Sequence, residues 1–141
     1  MSNAPYAGDL MPSDAWAMLD GDEKAVLIDC RTDAEWRFVG VPDLAPIGKQ
    51  VLLVEWQRYP GGTPNPDFVD DVKGLGVGPD RTLVFICRSG ARSRSAAMAM
   101  TAAGFGPCYN VAEGFEGDKD GAGHRGHVGG WKLAGLPWRQ D

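Results

Sequence analysis

The 141-residue chain is poor in cysteine, with three residues at 30, 87 and 108, and it has only two histidines. Three scattered cysteines do not make a disulfide framework, and no pair has the close spacing of a zinc knuckle. Long apolar runs are absent, and the opening "MSNAPYAGDLMPSDAW" has neither a basic start nor an apolar core. No membrane partner is therefore expected, and a reducing cytoplasm, where thiols stay free, is the expected location. Basic charge is also short: 14 Lys and Arg stand against 19 Asp and Glu, a formal net charge of -5. A nucleic-acid binder needs a basic face, so nucleic acid is not an expected partner either.

What is present suits one packed domain spanning 1–141, since the length is that of a single core and 43% of the residues are hydrophobic. Short apolar runs at 25–29, 50–56, 82–86 and 108–112 read as strands, and their near-continuous apolar character suits burial on both faces. Helix-like segments alternate with them, the pattern of an α/β domain with a mostly parallel sheet. Ser13 is expected to cap a first helix that ends at Gly21. Asn65 and Pro66 are expected to open another, ending near Gly74. The Ala- and Met-rich stretch from Ser93 to Gly104 gives the last. Thr32-x-x-Glu35 has the spacing of a capping box, which predicts a short helix immediately after Arg31. Residues 114–130, "GFEGDKDGAGHRGHVGG", include seven glycines, too many for a helix or strand interior. They read as a long ordered loop.

"VFICRSGARSRSA", residues 84–96, places Cys87 between an apolar run and a helix start. In a parallel α/β sheet this is the carboxyl end of a strand, where ligands bind. The thiolate is the reactive form of cysteine, and three features favour it here. Gly90 lets the loop curl its N–H groups around the sulfur. The following helix directs its positive end to the same place. Arg88, Arg92 and Arg94 add full charges. This concentration of positive charge in an acidic chain fits a small anion and a nucleophilic Cys87.

The segments "LIDCRTDAEW", "CRSGARS", "VAEG" and "GLPW" fall in the order found in single-domain rhodanese-type sulfurtransferases, which the chain resembles over about residues 12 to 138. The resemblance implies a rhodanese-like fold, with helices on both faces of a central, mostly parallel sheet. It implies that Cys87 takes the outer sulfur of a small anionic donor such as thiosulfate and passes it from a persulfide to cyanide, a thiol or a protein thiol. Arg88, Ser89, Gly90, Ala91 and Arg92 would form the anion-binding loop, with Asp29, Arg31, Glu35 and Arg94 in support. No metal or organic cofactor is expected.

Two other readings compete. Cysteine-dependent phosphatases and arsenate reductases use a Cys-x5-Arg loop, usually preceded by histidine. Here Ser93 holds the sixth place, Arg92 comes one residue early, and Ile86 precedes the cysteine. A shorter loop suits one sulfur atom better than a tetrahedral oxyanion. The second alternative is a sulfur carrier or binding module without turnover.

Bland roles are expected for most other notable residues. Cys30 and Cys108 suit core packing, with Cys30 or Cys108 as a resolving thiol the lesser reading. Asp29, Arg31 and Glu35 read first as a set that orients the turn, with Arg31 in the pocket as the alternative. Trp16, Trp36 and Trp131 are expected in or beside the core. Trp56 and Tyr59 are open between core and pocket mouth. His124 and His127 lack a carboxylate or thiol at clear ligand spacing, so a metal is not expected there. "DKDGAG" fails as a calcium loop because Ala122 and Gly129 hold ligand positions. The chain also departs from the family pattern: "VGVPDLAPIG" lacks the usual histidine, and the glycine-rich insertion delays Trp131.

Overall fold

The computed structural model describes residues 5–140. Its main sheet has five strands in the order β1-β8-β7-β2-β4, namely β1 (Gly8–Leu10), β2 (Ala25–Asp29), β4 (Leu52–Leu53), β7 (Thr82–Ile86) and β8 (Cys108–Val111). All four pairings are parallel. Two small antiparallel ladders flank it, β3 (Val41–Pro42) with β9 (Trp138–Arg139), and β5 (Gln57–Arg58) with β6 (Thr63–Pro64). The helices are α1 (Pro12–Gly21), α2 (Asp33–Phe38), α3 (Phe68–Gly74) and α4 (Ala91–Ala102).

The central strand β7 is buried at all five positions, and alternate residues serve opposite sides. Leu83, Phe85 and Cys87 pack with Phe68 and Val72 of α3 and Ala96, Ala97 and Met100 of α4. Val84 and Ile86 pack with Ala15 and Leu19 of α1, Phe115 and Trp131. The small residues of α4 let it lie close to the sheet, so the helix start is held beside Cys87.

Several boundaries differ from those expected. β4 has two residues rather than seven, because its ladder to β2 stops at Asp29–Leu53. Beyond that point Val54 and Trp56 donate irregularly to Asp29 and Cys30 carbonyls. β1 was not foreseen; a three-residue edge strand containing Gly and Asp has too little apolar signal. Ser13 does not cap α1: Met11 occupies the N-cap without a side-chain bond, and Pro12 opens the helix. Asn65 organises a turn instead of a helix start. Its Oδ1 accepts the Asp67 amide, its Nδ2 reaches the Glu55 carbonyl and Asp71, and α3 begins at Phe68. The capping box on α2 is formed as the spacing requires, with Thr32 and Glu35 each bonding the other's main chain.

Candidate active site

Strand β7 ends at Ile86, and Cys87 follows at the carboxyl edge of the sheet, 1% exposed. Its Sγ accepts hydrogen bonds from the Gly90 amide at 3.2 Å and the Ser93 amide at 3.3 Å. Gly90 is the N-cap of α4 and Ser93 its third residue, and no side chain caps this helix. The sulfur therefore stands where a capping oxygen would, satisfying a first-turn N–H and meeting the positive end of the helix. Gly90 has φ +110°, and a Cβ there would lie 2.3 Å from the Ala112 carbonyl oxygen. Both the dihedral and the close approach require glycine.

Ser93 Oγ lies 3.2 Å from Sγ and also contacts Asn110 Oδ1, while Asn110 Nδ2 donates to Asp9 at 3.0 Å. Ser93 and Asn110 are fully buried. Neither was picked out from sequence as a site residue. Ser93 had a usable signal, directly after the loop in the first turn of the helix, whereas Asn110 reaches the site only through the pairing of β8 with β7.

The supporting residues divide into two groups. Asp29 and Arg31 are fully buried and paired, with Arg31 Nη2 2.6 Å from Asp29 Oδ2 and 2.7 Å from the Gly40 carbonyl. The Arg31 guanidinium also covers the Phe115 ring at 4.3 Å. This pair ties the end of β2 to the entry of β3, and Arg31 does not line the pocket. Glu35 belongs elsewhere. It receives both arms of Arg92, at 2.7 and 2.9 Å, joining α2 to α4. Burial pushes the Glu35 carboxyl up, but Arg92 and the Thr32 amide outweigh it and hold its pKa at about 2. Burial likewise works against the Arg92 charge, and Glu35 reverses that, raising it.

Of the loop after Cys87, Arg88 and Arg92 line a cleft of about 620 Å³ whose other walls include Arg58 and Arg125, against two carboxylates, Glu35 and Glu116; Cys87 itself lies behind this wall. Tyr59 and the exposed Phe38 also line the cleft. Trp56 instead packs edge-on against Phe68 in the core. Ser89 and Ala91 stand in the loop between Arg88 and Arg92, half-buried and exposed respectively. Arg94 is exposed on the outer side of α4 near Tyr6 and is not part of the cleft. Cys30 and Cys108 are buried thiols. Burial, then the neighbouring Cys87 sulfur, pushes the Cys30 thiol well up, while burial raises that of Cys108. Trp131 is fully buried against Trp16, whereas Trp36 is only half-buried.

The backbone behind the loop is braced by the glycine-rich segment. Phe115 donates to the Cys87 carbonyl, and Glu116 and Gly117 donate to that of Arg88. The segment's base is pinched where Gly117 meets Gly129, so closely that a Cβ on Gly117 would lie 2.3 Å from the Gly129 oxygen. Residues 114–130 form turns and bends without helix or strand, as their composition predicts.

A parallel α/β sheet with a cysteine at the end of its central strand, held by helix-terminal amides beside an arginine-rich cleft, defines a cysteine-loop α/β domain. The chain belongs to the family of rhodanese-like domains, whose model matches residues 11–120. It is 38% identical over 128 residues to an uncharacterized protein of Rickettsia conorii, covering 89% of this chain and 91% of that one. The crystal structure of Rv0390 from M. tuberculosis superposes with a TM-score of 0.88 at 49% identity, covering 96% of this chain and 99% of the other. The polysulfide-sulfur transferase homodimer from Wolinella succinogenes shares the fold, with a TM-score of 0.66 at 22% identity over 97% of this chain and 80% of that one.

Proposed function

We propose that the protein is a sulfurtransferase that carries sulfane sulfur on Cys87. The observation that carries this reading is the seating of Cys87 Sγ on the Gly90 and Ser93 amides beside a cleft with four arginines. In the first half-reaction the Cys87 thiolate attacks the outer sulfur of thiosulfate. The new S–S bond forms as the old one breaks, and sulfite leaves with the electron pair. In the second, cyanide or a thiolate attacks the terminal sulfur of the persulfide, and the Cys87 thiolate is released. Splitting transfer this way makes each step a simple displacement at sulfur. The loop amides and Ser93 would stabilise negative charge on either sulfur anion, and Arg88 would draw in the donor. The account needs no cofactor. It suits a reducing cytoplasm, where all three cysteines remain thiols.

Arg92 favours this reading over phosphate-ester or arsenate chemistry. Its two forked nitrogens are already occupied by Glu35, whereas a phosphate loop needs them for the oxyanion. The glycine-rich segment 114–130 would be an insertion in one domain spanning 1–141, forming a rim of the acceptor site through Arg125. Steady-state assays with thiosulfate and cyanide test the reading. Thiocyanate formation with parallel double-reciprocal lines is expected, and it should disappear in Cys87→Ser. Persistence of turnover in that variant would refute the mechanism.

A further inference from the structure

The two histidines of the glycine-rich segment acquire in the fold a partner that their spacing conceals. Asp120, His124 and His127 each offer a ligand atom, and these atoms lie within 4.8 Å of one another. Sequence spacing does not reveal this carboxylate because its approach depends on a backbone turn. Asp120 N donates to the His124 carbonyl at 2.7 Å, folding 120–124 back on itself. Asp120 Oδ1 then accepts the Ala122 and His124 amides, both at 2.9 Å, and Oδ2 faces His127 Nδ1 at 2.9 Å. Carboxylate and turn are thus arranged by the main chain before any ion arrives, which lowers the ordering cost of binding.

We propose that Asp120, His124 and His127 bind a divalent metal ion of zinc's class, with water completing a four-coordinate shell. Two imidazoles and a carboxylate are the donor set of open zinc sites, whereas calcium and magnesium prefer oxygen alone. Bonds of about 2.0–2.1 Å to a tetrahedral ion place ligand atoms roughly 3.3 Å apart. Closing the present separations of up to 4.8 Å to that spacing would take rotation of the two exposed imidazoles. The ion would take the place of the direct His127–Asp120 contact. Between the ligands stands Arg125, which lines the cleft and donates to the Gly117 carbonyl at 2.8 Å. A bound ion would close a ring of chain around Arg125 and fix that rim of the cleft. The site is distinct from Cys87 and its binding does not depend on sulfur transfer.

The test is calorimetric titration of zinc chloride into the full chain, free of any histidine tag and carrying Cys87→Ser to remove the competing sulfur. One ion per chain is expected, with a Kd of about 10 µM or tighter. Adding His124→Ala with His127→Ala should weaken binding at least about tenfold, and circular dichroism melting before zinc addition should match the parent because both rings are exposed. Asp120→Asn keeps an Oδ1 acceptor for the two amides and should also weaken binding from an intact turn. Absence of binding up to about 100 µM zinc, or the same affinity in the double histidine variant, would overturn the proposal.

Discussion

Ser93 has a single hydroxyl proton and two acceptors within reach, Cys87 Sγ and Asn110 Oδ1. It serves one of them at a time. A thiolate or persulfide anion competes best for the proton, while a protonated thiol leaves it with Asn110, so Ser93 answers to the charge on sulfur. Ser93→Ala keeps both amides on Cys87 but removes this donor and leaves Asn110 Oδ1 unmatched. Its kcat/KM for thiosulfate should fall about tenfold, with a stability loss of roughly 1–3 kcal/mol in urea. Unchanged kinetics would remove Ser93 from the transfer step. Cys30 makes the opposite case. It is fully buried, its thiol is pushed well up, and its Sγ donates to the Ile86 carbonyl at 3.3 Å. Cys30→Ala should therefore retain sulfur transfer within about threefold, as a packing residue would. A collapse of turnover with normal folding would show that the second thiol takes part.

Between elements, the Glu35–Arg92 bridge fastens the short helix α2 to the start of α4, and the Thr32 capping box holds Glu35 in position to do so. The pH sign follows from the carboxyl. Its folded pKa of about 2 lies below its ordinary value, so its contribution is complete above about 4.5 and is lost as pH falls towards 2. Glu35→Gln should cost roughly 1–3 kcal/mol at pH 7, and the deficit relative to wild type should shrink on acidification. Urea midpoints at pH 7 and pH 3 measure both. A deficit independent of pH would assign the cost to packing instead. The same helix shows what a sequence makes legible. Its capping box, like the β7–Cys87–α4 unit, is encoded within a few neighbouring residues, so spacing alone locates it. The bridge joins residues 57 apart in sequence, and nothing local chooses Arg92 over Arg31 as the partner of Glu35. Asn110 was hidden for the same reason, whereas the Asp120 turn is local and was hidden because an irregular turn has no period to mark it. The short ladders β3–β9 and β5–β6 have two residues per strand, too few for a period to show.

For the whole molecule, an acidic chain has gathered four arginines around one cleft. On the proposed reading, net negative charge would keep general polyanions away while the local field draws in a small dianion. The kcat/KM for thiosulfate should accordingly fall several-fold as salt rises from about 20 to 200 mM, because screening shortens the reach of the field. Arg88→Gln should lower the low-salt value and flatten the dependence; a flat profile in the wild type would contradict steering. The fold and the placement of Cys87 at a strand end were legible at this scale because alternating strands and helices, with a cysteine following the central strand, leave few arrangements open. The cleft beside that cysteine was not, since its walls come from residues as distant as Arg58 and Arg125. The central claim is that Cys87 itself carries the sulfur, and intact-mass analysis after brief exposure to thiosulfate tests it most directly. Wild type should gain one sulfur, about 32 Da, lose it on addition of cyanide, and show no gain as Cys87→Ser. An equal gain on the Cys87→Ser protein, or thiocyanate production without any sulfur-bearing form of the wild type, would contradict the account.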